Sequence, residues 1–221
     1  EPALMRAQLS HRAGIFACDE FAIVANEHIT LGDGPYGPVK SLKMPPASVG
    51  ISKDGTAANT LVFMQAWAMI KYDFRYKNHD WTIKADPDAV VLPDRMRNHL
   101  GALNGKKLYV KNCNKYPGAI GWPMMFGALE AFSRDALEEY MENAQKCKDD
   151  LQWQAWGEDL FMGECLNHLG VGSAFDATMV SDNVCTGVNC ADGQAGAYHP
   201  FKDEQKWMEC YHTALGTVQS K

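Results

Sequence analysis

The chain has 221 residues, 46% of them hydrophobic and 22% charged, with a formal net charge of -6. That length suits one domain of α/β size with a substantial core, and the apolar and charged fractions exclude a disordered chain. An acidic balance without a Lys/Arg block excludes a general nucleic-acid binder, which needs a basic face to displace counterions.

Ala3 to Arg12 collects helix formers, with Leu4, Ala7 and Leu9 available to a core face and Gly14 ending the run. Phe21 to Ala25 reads as a strand, preceded by Asp19 and Glu20 as solvated turn carboxylates. Thr30 to Gly50 is rich in Gly and Pro and reads as irregular connection with one short strand at Val39 to Leu42. Lys53-Asp54-Gly55 then turns into a helix over Thr56 to Tyr72, where Leu61, Val62, Ala66, Met69 and Ile70 recur near helical spacing. Its apolar run, Leu61 to Ile70, is too short to span a bilayer.

Trp81 to Pro93 is the most informative stretch. It starts β-branched and apolar, breaks at Asp86-Pro87-Asp88 and resumes as Ala89 to Leu92, the pattern of a buried strand, a tight turn and a short second strand. Pro87 fixes its own φ and restricts Asp86 toward extended geometry, so two carboxylates stand on a stiff turn. Hard oxygen ligands one residue apart suit Mg2+ or Mn2+, which a ligand's phosphates can share. Asp and Pro are also ordinary turn residues, and a plain surface turn is the competing reading.

Asp94 caps a helix through Leu100, and Lys107 to Lys111 reads as another strand. Tyr116 to Gly127 is a Gly/Pro/aromatic loop that ends in Gly127-Ala-Leu-Glu-Ala-Phe132, after which Ser133 caps a helix toward Ala144. Trp122 and Phe126 in that loop offer a sugar-stacking wall, although such aromatic residues also complete cores. Gly157-Glu158-Asp159 opens a further helix that Gly170 stops, and acidic residues at that position interact favourably with the helix dipole whatever else they do. Beyond Val171 the composition turns to loops, with one short strand at Thr178 to Val180 and a last helix from Asp203 to His212. His199 precedes Pro200 and is held extended, which suits a ligand, while a structural histidine is the plainer alternative.

Seven cysteines are many for a reducing cytosol, and Cys185 and Cys190 bracket a polar loop that a local disulfide between them would staple. A lumenal or secretory compartment is therefore expected, with an organelle lumen such as a plastid's also open. A zinc site competes, but no second Cys-x-x-Cys or Cys/His pair has the spacing. The opening Glu1-Pro2 reads as a processed or trimmed start, so that a targeting segment lies outside the chain. The sequence shows neither an internal repeat, a domain boundary, a phosphate-cradling Gly loop nor a nucleophile elbow.

The order of these elements resembles the GT-A glycosyltransferases, and among them the fringe and β-galactosyltransferase group. The likeness rests on the apolar helix Thr56 to Ile70, Lys84-Ala-Asp-Pro-Asp88, the Tyr116 to Ser133 loop and cap, Glu158-Asp159 with Gly163, and His199, and covers residues 55 to 205. It implies a single α/β domain over residues 1 to 221, a GT-A-like mixed central sheet flanked by helices. Asp88, Asp86 and His199 would hold Mn2+ or Mg2+, Asp86 and Lys84 would lie on the nucleotide side, and Asp159 would act as general base beside Glu158. The partners implied are a nucleotide-sugar donor and a glycan or protein acceptor, joined with inversion at the anomeric carbon. That family opens with a nucleotide-binding strand before its first helix and often has an acidic residue where Pro87 stands. This departure carries a second expectation, a catalytically silent accessory or scaffold subunit of a larger assembly. A carbohydrate-binding module using the aromatic loop is the third.

Overall fold

The computed structural model describes residues 1–47, 49–51 and 57–216. The turn expected at Lys53-Asp54-Gly55, and Thr56 after it, lie outside the described residues. The fold is mixed α/β, with six helices among the described residues. α1 (Pro2–Ser10) leads through a 3-10 turn into β1 (Val24–Ala25), the hairpin β2 (Thr30–Gly34) and β3 (Gly37–Lys40), β4 (Leu42–Lys43), and the pair β5 (Gly50–Ile51) and β6 (Ala57–Ala58). Next come α2 (Thr60–Asp73), β7 (Trp81–Ala85), β8 (Val90–Val91), α3 (Pro93–Gly101), β9 (Leu108–Lys111) and β10 (Leu129–Ser133). The chain closes with α4 (Arg134–Asp150), α5 (Glu158–His168), β11 (Gly172–Phe175), β12 (Val180–Asp182), β13 (Ala197–His199) and α6 (Glu204–Gly216).

Four strands in the order β11-β9-β10-β7 form the main sheet, in which β10 is antiparallel to both neighbours and β11 runs parallel to β9. The two-residue side-chain period of β7 divides its environment. Trp81, Ile83 and Ala85 pack with Met96 and Leu100 of α3, whereas Thr82 and Lys84 face the opposite layer, where Lys84 Nζ lies 4.6 Å from the Phe63 ring of α2. That second layer is built from Trp67 of α2, Leu137 and Tyr140 of α4, and Phe161 and Leu166 of α5, packed on Tyr109 and Phe132. A smaller sheet, β12-β13-β8, joins the tail to the turn after β7, because β13 pairs antiparallel with β8 through Tyr198 and Val90.

Several elements differ from the sequence expectation. Gly14 does not simply end α1: it sits at φ 59 and opens the 3-10 turn, in backbone space that favours glycine. Val39 to Leu42 is split between β3 and β4, and the connection around it contains a hairpin. Pro93, not Asp94, starts α3 at the first helical position, where its missing N–H costs nothing. Ser133 does cap α4, its hydroxyl accepting from the Ala136 N–H at 3.3 Å, but the helix runs six residues past Ala144, to Asp150. β10, β11 and β13 fall where the sequence reads as loop; β10 is a short, fully buried strand whose apolar run lacks alternation, and only its neighbours define it.

The expected Cys185/Cys190 disulfide does not form. Cys185 pairs with Cys113, Cys190 with Cys210 and Cys147 with Cys165, leaving Cys18 as a free thiol. Asp182 builds a turn over Cys185, accepting the Val184 N–H at 2.6 Å and, through its carbonyl, the Cys185 N–H at 3.2 Å, and the disulfide ties this turn to Cys113, two residues past the end of β9. Cys190 instead lies against α6. Three disulfides fit an oxidising compartment. No helix among the described residues is long and apolar enough to cross a membrane.

Candidate metal and carboxylate site

The end of β7 and the turn after it carry the first cluster. Asp86 extends the β7–β10 ladder by donating its N–H to Ala128 O at 3.1 Å, then closes the turn by accepting the Ala89 N–H at 3.0 Å. Asp88 is fixed through its backbone, whose carbonyl accepts the Phe201 N–H at 2.9 Å. Residues more than a hundred positions apart are thereby tied together on either side of His199. The ligand atoms of Asp86, Asp88 and His199 all lie within 4.8 Å of one another.

His199 is oriented from behind. Its Nδ1 is 2.6 Å from Oδ2 of Asp182, the residue opposite it on β12, and its Nε2 is 3.5 Å from Oδ1 of Asp88. Burial by itself would push the imidazole down, but hydrogen bonds to Asp182 and Asp88 outweigh it and raise the pKa to about 9. The reciprocal contact with His199 holds the Asp88 carboxyl below its ordinary value despite partial burial. Two carboxylates and one imidazole, the latter steered by a buried carboxylate, make a donor set that fits Mn2+ or Mg2+.

A second cluster adjoins the first through Lys84. Its Nζ contacts Asp86 Oδ1 at 2.8 Å, Glu158 Oε1 at 2.5 Å and the Gly127 carbonyl at 2.5 Å, which commits all three ammonium donors. Glu130, the residue directly across the β7–β10 ladder from Lys84, is 1% exposed. Neither of its oxygens receives a hydrogen bond; Lys84 Nζ at 3.4 Å is too poorly aimed to supply one. One ammonium cannot neutralise Asp86, Glu130, Glu158 and Asp159 together. Burial drives the Glu130 carboxyl well above its usual range, so this deepest member is the one that keeps its proton.

Glu158 and Asp159 occupy the start of α5. The Glu158 N–H donates to Asn59 Oδ1 at 3.0 Å and the Thr60 hydroxyl donates to Trp156 O at 2.9 Å, so the first turns of α2 and α5 hold one another. Asp159 Oδ2 accepts the Gly127 N–H at 3.1 Å and Oδ1 accepts the Leu160 N–H at 2.7 Å, while burial raises its pKa. Gly127 lies close against both carboxylates, and a larger residue there would need them to shift by a few tenths of an ångström. A Cβ there would stand 3.0 Å from Glu158 Oε1 and 3.4 Å from Asp159 Oδ2.

The structure thus brings Lys84, Asp86, Asp88, Glu158, Asp159 and His199 into one connected region. Sequence reasoning missed Glu130 and Asp182. An acidic residue inside the apolar Ala128 to Phe132 run was a usable signal for the first, whereas Asp182 reads as a turn residue and gains its role only by pairing β12 with β13. The aromatic loop enters the core through the buried Met125, while Trp122 is half-buried with Tyr116 edge-on at 5.2 Å. Phe126 is half-buried as well, its backbone N–H donating to Asn112 Oδ1 at 2.8 Å.

No protein-family model matches the chain.

Proposed function

We propose that this protein is a GT-A-like, fringe-like glycosyltransferase that moves a sugar from a nucleotide-sugar donor to a hydroxyl of a glycan or protein acceptor, inverting the anomeric centre. The observation that carries the reading is the Asp86, Asp88 and His199 triad, with all ligand atoms inside 4.8 Å. These residues would hold Mn2+ or Mg2+, and the bound ion would offset the charge that gathers on a leaving diphosphate. Asp159 takes the acceptor's hydroxyl proton on a carboxylate oxygen; its raised pKa makes it a better base near neutrality than an exposed aspartate. Each Asp159 oxygen keeps a second lone pair for that purpose beside the backbone N–H it accepts. Lys84 and Glu158 position the two halves, since the ammonium links Asp86 on one side to Glu158 and the Gly127 carbonyl on the other. The three disulfides favour a secretory or lumenal setting for this work.

Isothermal titration with Mn2+ and a uridine diphosphate nucleotide tests the reading. Binding that Asp88→Ala removes is the expected result, and a flat trace with the intact protein would sink it.

A second reading, a silent accessory subunit in a larger assembly, is favoured by one observation: every donor of Lys84 and both Asp159 oxygens are already engaged inside the protein. Copurification with other chains in fixed ratio, without nucleotide affinity, distinguishes it.

A further inference from the structure

Both oxygens of the Glu130 carboxyl are buried, and no described residue gives either of them a hydrogen bond. Native proteins leave few buried polar atoms in that state, because an unmet acceptor has lost its water and gained nothing in return. A donor nevertheless stands close. The Lys84 ammonium, directly across the β7–β10 ladder, has its Nζ 3.4 Å from Glu130 Oε1. It passes Glu130 by because its three donors go to Asp86, Glu158 and the Gly127 carbonyl.

Those three partners are not equivalent. Glu158 and Gly127 are themselves held in place, Glu158 by its N–H on Asn59 Oδ1 and Gly127 by its N–H on Asp159 Oδ2. Asp86 lies at the open end of the cluster: its side chain is 34% exposed, and its ligand atom converges with those of Asp88 and His199. The 2.8 Å contact between Lys84 and Asp86 Oδ1 is therefore the one that a cation in the triad contests. An ammonium and a divalent cation sharing one partly buried carboxylate repel each other by more than a single hydrogen bond is worth.

We infer that Glu130 is a positioning residue for the cation-loaded triad: Lys84 turns its third donor from Asp86 Oδ1 to Glu130 Oε1 and keeps its bonds to Glu158 and Gly127. The inference rests on the metal reading and extends it to a residue outside the ligand set. The gap is already as short as 3.4 Å, and it closes by rotation about the flexible lysine side chain, with no covalent change. A protonated carboxyl still offers a carbonyl oxygen, so the ammonium finds an acceptor without Glu130 first having to ionise. Lys84 has three partners in either arrangement, whereas Glu130 gains one only in the second. That difference strengthens cation binding at Asp86.

Titration calorimetry of the full chain with Mn2+ tests it, beside a crystal structure of the Mn2+-loaded protein. Glu130→Leu fills the same buried place without an acceptor and should bind Mn2+ about tenfold more weakly, the effect of stranding one donor of a buried ammonium. Glu130→Gln keeps an acceptor oxygen and should stay within about threefold of the unaltered protein. On a Lys84→Met background, Glu130→Leu should cost nothing further, which a merely structural role for Glu130 would not produce. In the loaded crystal, Lys84 Nζ should lie within hydrogen-bond distance of Glu130 and have left Asp86. Should a variant fail to fold, the position of Lys84 in that crystal decides by itself. Equal losses with Gln and Leu, a loss that persists without Lys84, an unaffected Glu130→Leu, or Lys84 still on Asp86 beside bound Mn2+ each overturn this inference and leave the metal reading standing. Absence of Mn2+ binding by the intact chain overturns both.

Discussion

The Asp182 carboxylate stands 2.6 Å behind His199 Nδ1, and this contact fixes which ring nitrogen faces Asp88. The pair is joined by the parallel register of β12 and β13, so a change at Asp182 reaches the triad without touching it. Asp182→Asn should preserve the turn, because an amide oxygen can still accept the Val184 N–H that Asp182 Oδ1 now accepts at 2.6 Å. Mn2+ affinity should nevertheless fall roughly 10- to 100-fold, the usual effect of losing a carboxylate that orients a ligating histidine. Titration calorimetry reads this directly, and an unchanged affinity would remove His199 from the ligand set.

Lys84 is the sole cation contacting Asp86, Glu130 and Glu158 among the described residues. Lys84→Met keeps the packing against Phe63 and leaves buried carboxylates uncompensated, so a loss of about 3–5 kcal/mol in unfolding free energy is expected. Adding Glu130→Gln to that variant should restore part of the loss. Urea denaturation of the single and double variants checks both statements, and a neutral single variant would contradict the account of the cluster.

Glu130 gives stability a pH dependence with a definite sign. Its carboxyl is raised in the folded state by burial, so its contribution is fully present below the unfolded value of roughly 4.3 and is lost as pH rises through the folded value. Glu130→Gln cannot ionise. Relative to the unaltered protein, its urea midpoint should therefore improve steadily from pH 4 toward neutrality; a difference that stays constant over that range would show that Glu130 titrates normally.

The disulfides should rank by loop length. Cys113–Cys185 closes a separation of 72 residues and Cys147–Cys165 one of 18. Loop-closure entropy predicts losses of about 4 and about 3 kcal/mol when each pair is replaced by alanines. Guanidinium unfolding of the two double variants measures the order, and its reversal would indicate that packing around the buried Cys147 and Cys165 matters more than the loop.

Burial pushes the Cys18 thiol up to about 11, against the lowering effect of Arg97. At pH 8, about three units below that raised value, only about one molecule in a thousand carries the thiolate. Iodoacetamide should leave Cys18 unmodified under conditions that fully alkylate a free cysteine, as read by intact mass.

Where side-chain period and turn chemistry act locally, the sequence was a sufficient guide. β-Branched residues before Asp86-Pro87-Asp88 make β7 and its turn, the Ser133 hydroxyl starts α4, and Gly170, at φ 75, follows the end of α5. These features depend on bonds within a few residues, so they are written in neighbouring letters.

Pairing at long range was decided by the tertiary structure. The Glu130 carboxyl became a buried proton holder because β10 was set antiparallel to β7, opposite Lys84. Cys185 passed over Cys190, five positions away, for Cys113, because the Asp182 turn aims it there. Asp182 came to face His199 only because β13 carries that imidazole between it and Asp88. Each outcome depends on strand register across the fold, and register is a property of the packed sheets: a shift of one residue reverses every side chain, and no local run of sequence records which partner a strand will find.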